Sequence, residues 1–194
     1  DIAMDDLEVT QQLQESFMHF LCYDQSFAMG LPCEVAIRLA NASDRDRFKE
    51  LYTELLSDPV SQGMYLPTQK NLDYFMGLFD AFISGEKAGF CLIVDEGACV
   101  LWGDVGLSSV FDLRYGNVAC GLGTYIHPAL RGHGLAKRLW DVAKKVSVAK
   151  GFESVIGSVP IGNGSSQRAL SKLGVIPTDI QFLIPIREAT DVAL

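Results

Sequence analysis

At 194 residues with 48% hydrophobic side chains, the sequence has enough apolar material for one packed core and too much for a disordered chain. A formal net charge of −8 argues against nucleic acid as a partner, and no apolar run of membrane-spanning length, basic leader or lipidation signal points to a membrane or to export. The cysteines Cys22, Cys33, Cys91, Cys99 and Cys120 are odd in number and lack C-x-x-C or metal-ligand spacing, which predicts reduced thiols, a cytoplasmic protein and no metal site.

The charge is unevenly spread. Residues 38–113 hold 6 basic against 12 acidic side chains, and residues 114–172 reverse this with 9 against 2. A basic segment suits an anionic ligand, and an acidic one suits a cationic or amine partner drawn in by electrostatic steering.

Residues 1–34 read as an acidic helical extension, and the whole stretch 1–37 has no Lys or Arg. Leu13, Phe17, Phe20 and Leu21 recur at helical spacing, so the segment predicts an amphipathic helix. Its aromatic face would dock on its own domain or on a second copy, giving a homodimer. The main domain, residues 35–194, opens with a short strand, Val35–Leu39. Asn41 and Ser43 offer N-cap chemistry for a helix carrying Phe48, Leu51, Tyr52 and Leu55, which stops at Ser57-Asp58-Pro59. After a loop from Ser61 to Pro67, a second helix from Asn71 to Ile83 carries Leu72, Phe75, Met76, Phe79 and Phe82.

Phe90–Val94 and Cys99–Trp102 flank Asp95-Glu96-Gly97-Ala98 and predict an antiparallel hairpin. Asn117–Ile126 is the next strand, interrupted by Gly121 and Gly123; glycines inside a strand suggest a bulge or the close approach of another backbone. Beyond it, Leu135, Leu139, Val142, Val146 and Ala149 form a helical stripe that ends at Gly151. Ser154–Val159 predicts a strand, Asn163 the start of a short helix, and Ile180–Ile184 a final strand. Alternating strands and helices imply an α/β fold with a mixed sheet covered on both faces.

The segment Tyr125-Ile-His-Pro-Ala-Leu-Arg131-Gly-His-Gly134-Leu-Ala136-Lys-Arg138 joins a strand end, a glycine loop and a helix start. Gly132 and Gly134 allow the backbone N–H groups to converge, and free amides plus the positive end of the helix dipole favour a phosphate there. Lys137 and Arg138 in the first helical turn oppose the dipole, which makes most sense beside a polyanion. A plain glycine turn is the other reading of this loop alone. Neither the Rossmann fingerprint nor the Walker loop has the spacing found here.

Arg131-x-x-Gly134-x-Ala136, after Ile126-x-Pro128, resembles the pyrophosphate-binding motif of the GCN5-related N-acetyltransferases (GNAT). Asn163-Gly-Ser-Ser166-Gln-Arg-Ala-Leu170-Ser-Lys172-Leu173-Gly174 is similar to the later signature of that family. Motifs carry the resemblance from Val118 to Ile186; from about Val35 to Asn117 it is architectural. It implies a mixed, mostly antiparallel sheet flanked by helices, and acetyl-CoA as cosubstrate. It also implies direct attack by an acceptor amine within a ternary complex. By the same resemblance Tyr125, Ile126, Arg131, Gly132, His133, Gly134, Leu135, Ala136, Lys137, Asn163 and Ser166 hold the cosubstrate, and Met64, Tyr65 and Tyr74 are candidates for acceptor contact.

The chain also departs from the family. Leu170 stands seven residues after Asn163, where a tyrosine general acid is often found, and Leu122 stands where a glutamate base often lies. Tyr125, Cys120 and Asp104, with Glu50 and Glu54 behind them, are the remaining candidates for proton transfer. These departures keep a second reading open, a CoA-binding regulatory or structural module without turnover.

Overall fold

A computed structural model describes residues 35–59, 66–106, 116–159 and 163–172. The expected N-terminal helix, Met64, Tyr65 and the final strand lie outside the described residues. Among the described residues five strands form one sheet: β1 (Arg38–Leu39), β2 (Gly89–Val94), β3 (Ala98–Gly103), β4 (Val118–Ile126) and β5 (Ser154–Gly157). They lie side by side in chain order. The first three pairings are antiparallel, and β4 with β5 is parallel. The parallel pair is the one joined by a helix, α3 (Leu135–Ala149), as a crossover requires.

Helices α1 (Arg45–Ser57) and α2 (Gln69–Ile83) cover one face of the sheet, and α3 covers the other. Cys91 and Ile93 of β2, with Cys99 and Leu101 of β3, join α1 and α2 in one core. Phe90, Leu92, Val94, Val100 and Trp102 join Leu135, Leu139, Ala143 and Val146 of α3 in a second. Burial on both faces explains why β2 and β3 read as unbroken apolar runs. In the first core, the Phe48 ring lies 4.4 Å from that of Tyr52 and 4.5 Å from that of Phe79, and Tyr52 lies 4.9 Å from Phe75.

The expected hairpin and β4 are present, and two helix starts differ from expectation. Asn41 caps a 3-10 turn, Ala42–Asp44, in a reciprocal capping box with Asp44, and α1 begins only after it. Thr68 rather than a later residue caps α2, its hydroxyl accepting from Asn71 N. The first strand is only two residues long, because Arg38 and Leu39 alone find partners in Ile93 and Leu92. Arg38 then reaches both Asp44 and Asp95, tying β1 to the start of α1 and to the hairpin turn. On α3 the buried line runs through Ala143 and Ser147 instead of ending on Ala149, which is exposed. The helix stops as expected, with Gly151 in a left-handed conformation, φ +80°.

The interruption of β4 by glycine has a physical cause. Leu101 pairs with Gly123 and Trp102 with Gly121, so Leu122 is the extra residue of a β-bulge. A Cβ on Gly123 would lie 2.8 Å from the Tyr52 hydroxyl oxygen and 2.9 Å from Leu55 Cδ2. Gly123→Ala is therefore expected to lose about 1–3 kcal/mol of stability through overpacking. Urea unfolding measures this, and an unchanged midpoint would contradict the close approach.

Candidate functional site

β5 pairs with β4 only from Val118 to Gly121, where Gly121 faces Gly157. β4 continues to Ile126, and among the described residues no strand pairs with Gly123–Ile126 on that side. The bulge sits at the point of parting, and a bulge sharpens local twist and bends the strand that carries it. The β4 edge is thus unpaired from an apex at Gly121 to an open end at the glycine loop, and alternate peptide groups along it remain available to a ligand.

The loop closes the open end. His127 accepts from Ala129 N through Nδ1 and caps a 3-10 turn, Pro128–Leu130. Gly132 and Gly134 follow with φ +85° and +78°, and α3 starts at Leu135. A Cβ built on either glycine meets no atom within 4 Å, so the space in front of the loop is open. Gly134 is the N-cap and supplies no side-chain acceptor to the first turn of α3, whose leading amides have no intrahelical partner by geometry. His133 is exposed on the loop.

The basic side chains beside the loop have protein partners. Lys137 pairs with Asp141 one turn later at 2.6 Å, and Arg138 donates to the Val35 carbonyl at 3.1 Å. Their presence in the first turn thus has a structural explanation that the sequence alone does not offer. Arg131 donates to the Ile126 carbonyl and pairs with Asp58 at the end of α1. Beyond β5, Asn163 accepts from Ser166 N at 3.0 Å and so caps α4 (Gly164–Lys172).

The candidates for proton transfer separate into two places. Cys120 lies on β4 just before the apex, opposite Gly103, and Asp104 follows Gly103 at the end of β3. Burial and the nearby Asp104 carboxylate push the Cys120 thiol up, so it is protonated at neutral pH. Asp104 accepts from Gly106 N at 2.7 Å. Tyr125 lies at the loop end instead. Burial, together with the hydrogen bond to Glu54 and the charge on that residue, pushes the Tyr125 hydroxyl up to about 12. Glu50 is engaged by Arg47 at 2.8 Å on the outer surface of α1. Tyr74 is exposed, its ring edge-on to Phe75. Tyr52, which sequence reading assigns only to the core, adds its hydroxyl beside the bulge; Gly123 is the one signal that could have found it.

A model of the acetyltransferase (GNAT) domain matches residues 35–176. The chain belongs to the GNAT acetyltransferase family. No curated protein sequence matches this family member closely enough to compare. Among solved structures, AAC(6')-Iy in complex with the bisubstrate analogue CoA-S-monomethyl-acetylneamine superimposes with a TM-score of 0.57 at 17% identity, covering 78% of this chain and 97% of that one. Ribosomal-protein-alanine N-acetyltransferase from Brucella melitensis gives 0.52 at 17% identity, covering 78% and 100%. yncA from Salmonella typhimurium, with its cofactor acetyl-CoA, gives 0.58 at 20% identity, covering 74% and 80%. At these identities the likeness is one of fold, and it extends to the mostly antiparallel sheet described above.

Proposed function

We propose that the protein transfers the acetyl group of acetyl-CoA to a primary amine, by direct attack while both substrates are bound. The observation that carries this reading is the edge of β4 that β5 leaves unpaired after Gly121 and that leads to the glycine loop, which we read as one cleft. In it the pyrophosphate rests on the amides from Arg131 to Ala136. The pantetheine arm runs along Tyr125 and Ile126 toward the apex, with Asn163 and Ser166 on the opposite side. The residues fit such a ligand, since a Cβ at Gly132 or Gly134 would project into the space it needs. A structural neighbour, AAC(6')-Iy, was solved with a bisubstrate analogue that joins CoA to an acetylated neamine, which supports a ternary arrangement here.

Acetyl-CoA brings an activated acyl group and a thiolate leaving group. The chain has to place the amine, stabilise negative charge on the carbonyl oxygen and manage one proton. Amides of β4 near Tyr125 donate to that oxygen. Asp104 and Cys120 flank the apex, a carboxylate suited to receive the amine proton and a neutral thiol suited to give one. Tyr125 stays neutral at the other end and orients the arm. An acceptor bearing positive charge also suits the acidic segment, where Glu54 and Asp46 of α1 are exposed.

Leu170, on α4, and Leu122, buried in the bulge, favour the second reading, a CoA-binding module without turnover. Energetics favour the enzyme. A general acid contributes roughly 10²–10⁴-fold, about 3–5 kcal/mol, whereas orientation contributes about 7–11 kcal/mol. Losing the smaller term slows an acetyltransferase without silencing it.

Two measurements check these statements. Gly134→Val should fold with a modest penalty, roughly 1–2 kcal/mol for a side chain in a left-handed conformation, and should lose acetyl-CoA binding in calorimetry. Unchanged affinity would refute the loop assignment. Peptides, polyamines and aminoglycosides assayed for thiol release should include at least one that raises the rate above the no-acceptor level. Leu170→Tyr should leave that rate similar or raise it. Tight acetyl-CoA binding with no acceptor-dependent release would establish the non-catalytic module instead.

A further inference from the structure

Arg131 opens the glycine loop, yet its side chain folds back into the protein. Its Nε donates to the carbonyl of Ile126, the last residue of β4, at 2.8 Å. A terminal guanidinium nitrogen pairs with Asp58 Oδ2. Asp58 is the C-cap of α1, and the segment leading to α2 begins there. Its side chain is 12% exposed, against 42% for Arg131. One guanidinium therefore joins the end of β4, the start of the loop and the end of α1. One turn earlier on α1, Glu54 bonds the hydroxyl of Tyr125, the residue before Ile126 on β4. Both links fall at the same junction.

We infer that Arg131 and Asp58 form a latch that positions the glycine loop for the cosubstrate and couples it to the α1 side of the site. The inference rests on the acetyl-CoA reading above. Asp58 neutralises the charge that Arg131 would otherwise offer to a phosphate, so binding falls to the loop amides, and the guanidinium sets where those amides point. The arrangement also requires arginine. A planar fork reaches a carbonyl and a carboxylate at once, whereas an ammonium is a point charge without that fixed geometry. Partial burial of Asp58 makes the pair more persistent than a solvent-exposed one.

Calorimetry with acetyl-CoA on the full chain separates this latch from direct phosphate contact by Arg131. The comparison uses the wild type, Asp58→Asn, Asp58→Glu, Arg131→Lys and the Asp58→Asn/Arg131→Lys double variant, each with its melting temperature. The latch predicts that Asp58→Asn and Arg131→Lys each weaken binding about tenfold, and that the double variant is no weaker than the weaker single one. It also predicts that Asp58→Glu recovers part of the loss and that melting temperatures stay close to wild type. Direct contact predicts the opposite pattern: Asp58→Asn binds as tightly or more tightly, because it releases a cation, and Arg131→Lys keeps most of its affinity. That pattern, or losses in affinity that only track losses in melting temperature, would overturn the latch. Failure of the wild type to bind acetyl-CoA would instead remove the cosubstrate reading, and the latch with it.

Discussion

The structure depends on the close approach of Tyr52 to β4. Tyr52 is fixed by rings on both sides, Phe48 and Phe75, so it does not yield to the strand that crosses beneath it. The strand yields instead, with glycine at position 123 and Leu122 accommodated as an extra residue. The bulge falls where the pairing of β4 with β5 ends, at Gly121. The packing constraint in the α1 and α2 core thus coincides with the start of the unpaired β4 edge on which the proposed chemistry relies. On the proposed reading, the loop and helix dipole at the open end complete a site for a long ligand with an anionic middle.

Several of the charged side chains are also committed to partners within the protein. Arg38 is held between Asp44 and Asp95, Arg45 pairs with Asp80, and Arg47 pairs with Glu50. In the basic segment Lys137 is paired with Asp141, and Arg138 reaches a backbone carbonyl. The Arg38, Arg45 and Arg138 contacts join different elements, whereas Arg47–Glu50 and Lys137–Asp141 each lie within one helix; on the proposed reading, an anion at the loop is attracted chiefly by backbone amides. Asp44 shows how tightly such a carboxylate can be held. The Arg38 guanidinium lowers its pKa, and its oxygen also accepts from Asn41 N.

Much of this was legible in the sequence because it is local. The glycines at 121 and 123 announced a bulge, Gly132 and Gly134 a turn into a helix, and Gly151 the end of that helix, each through a backbone conformation or contact that a side chain would oppose. Apolar spacing found α1, α2, the hairpin and α3. It misplaced the end of the α3 stripe: Ser147 is buried, whereas Ala149, the last residue of the helix, is exposed. The stretch Asn41–Asp44 offers cap chemistry, and the capping box between Asn41 and Asp44 encloses a tighter turn before α1 begins. Partners remote in sequence were not legible at all. Nothing near Arg131 indicates Asp58, 73 residues earlier, and Gly123 signals a close approach without saying that Tyr52 makes it.

The central claim is that the parted edge of β4 and the glycine loop form one continuous site. Amide hydrogen exchange with and without acetyl-CoA tests it directly, since exchange reports protection segment by segment. The account predicts slowed exchange in two stretches together, residues 123–126 and 132–136, while β1 and the β2 to β3 turn exchange as before. Protection confined to other elements, or protection of one stretch without the other, would contradict it.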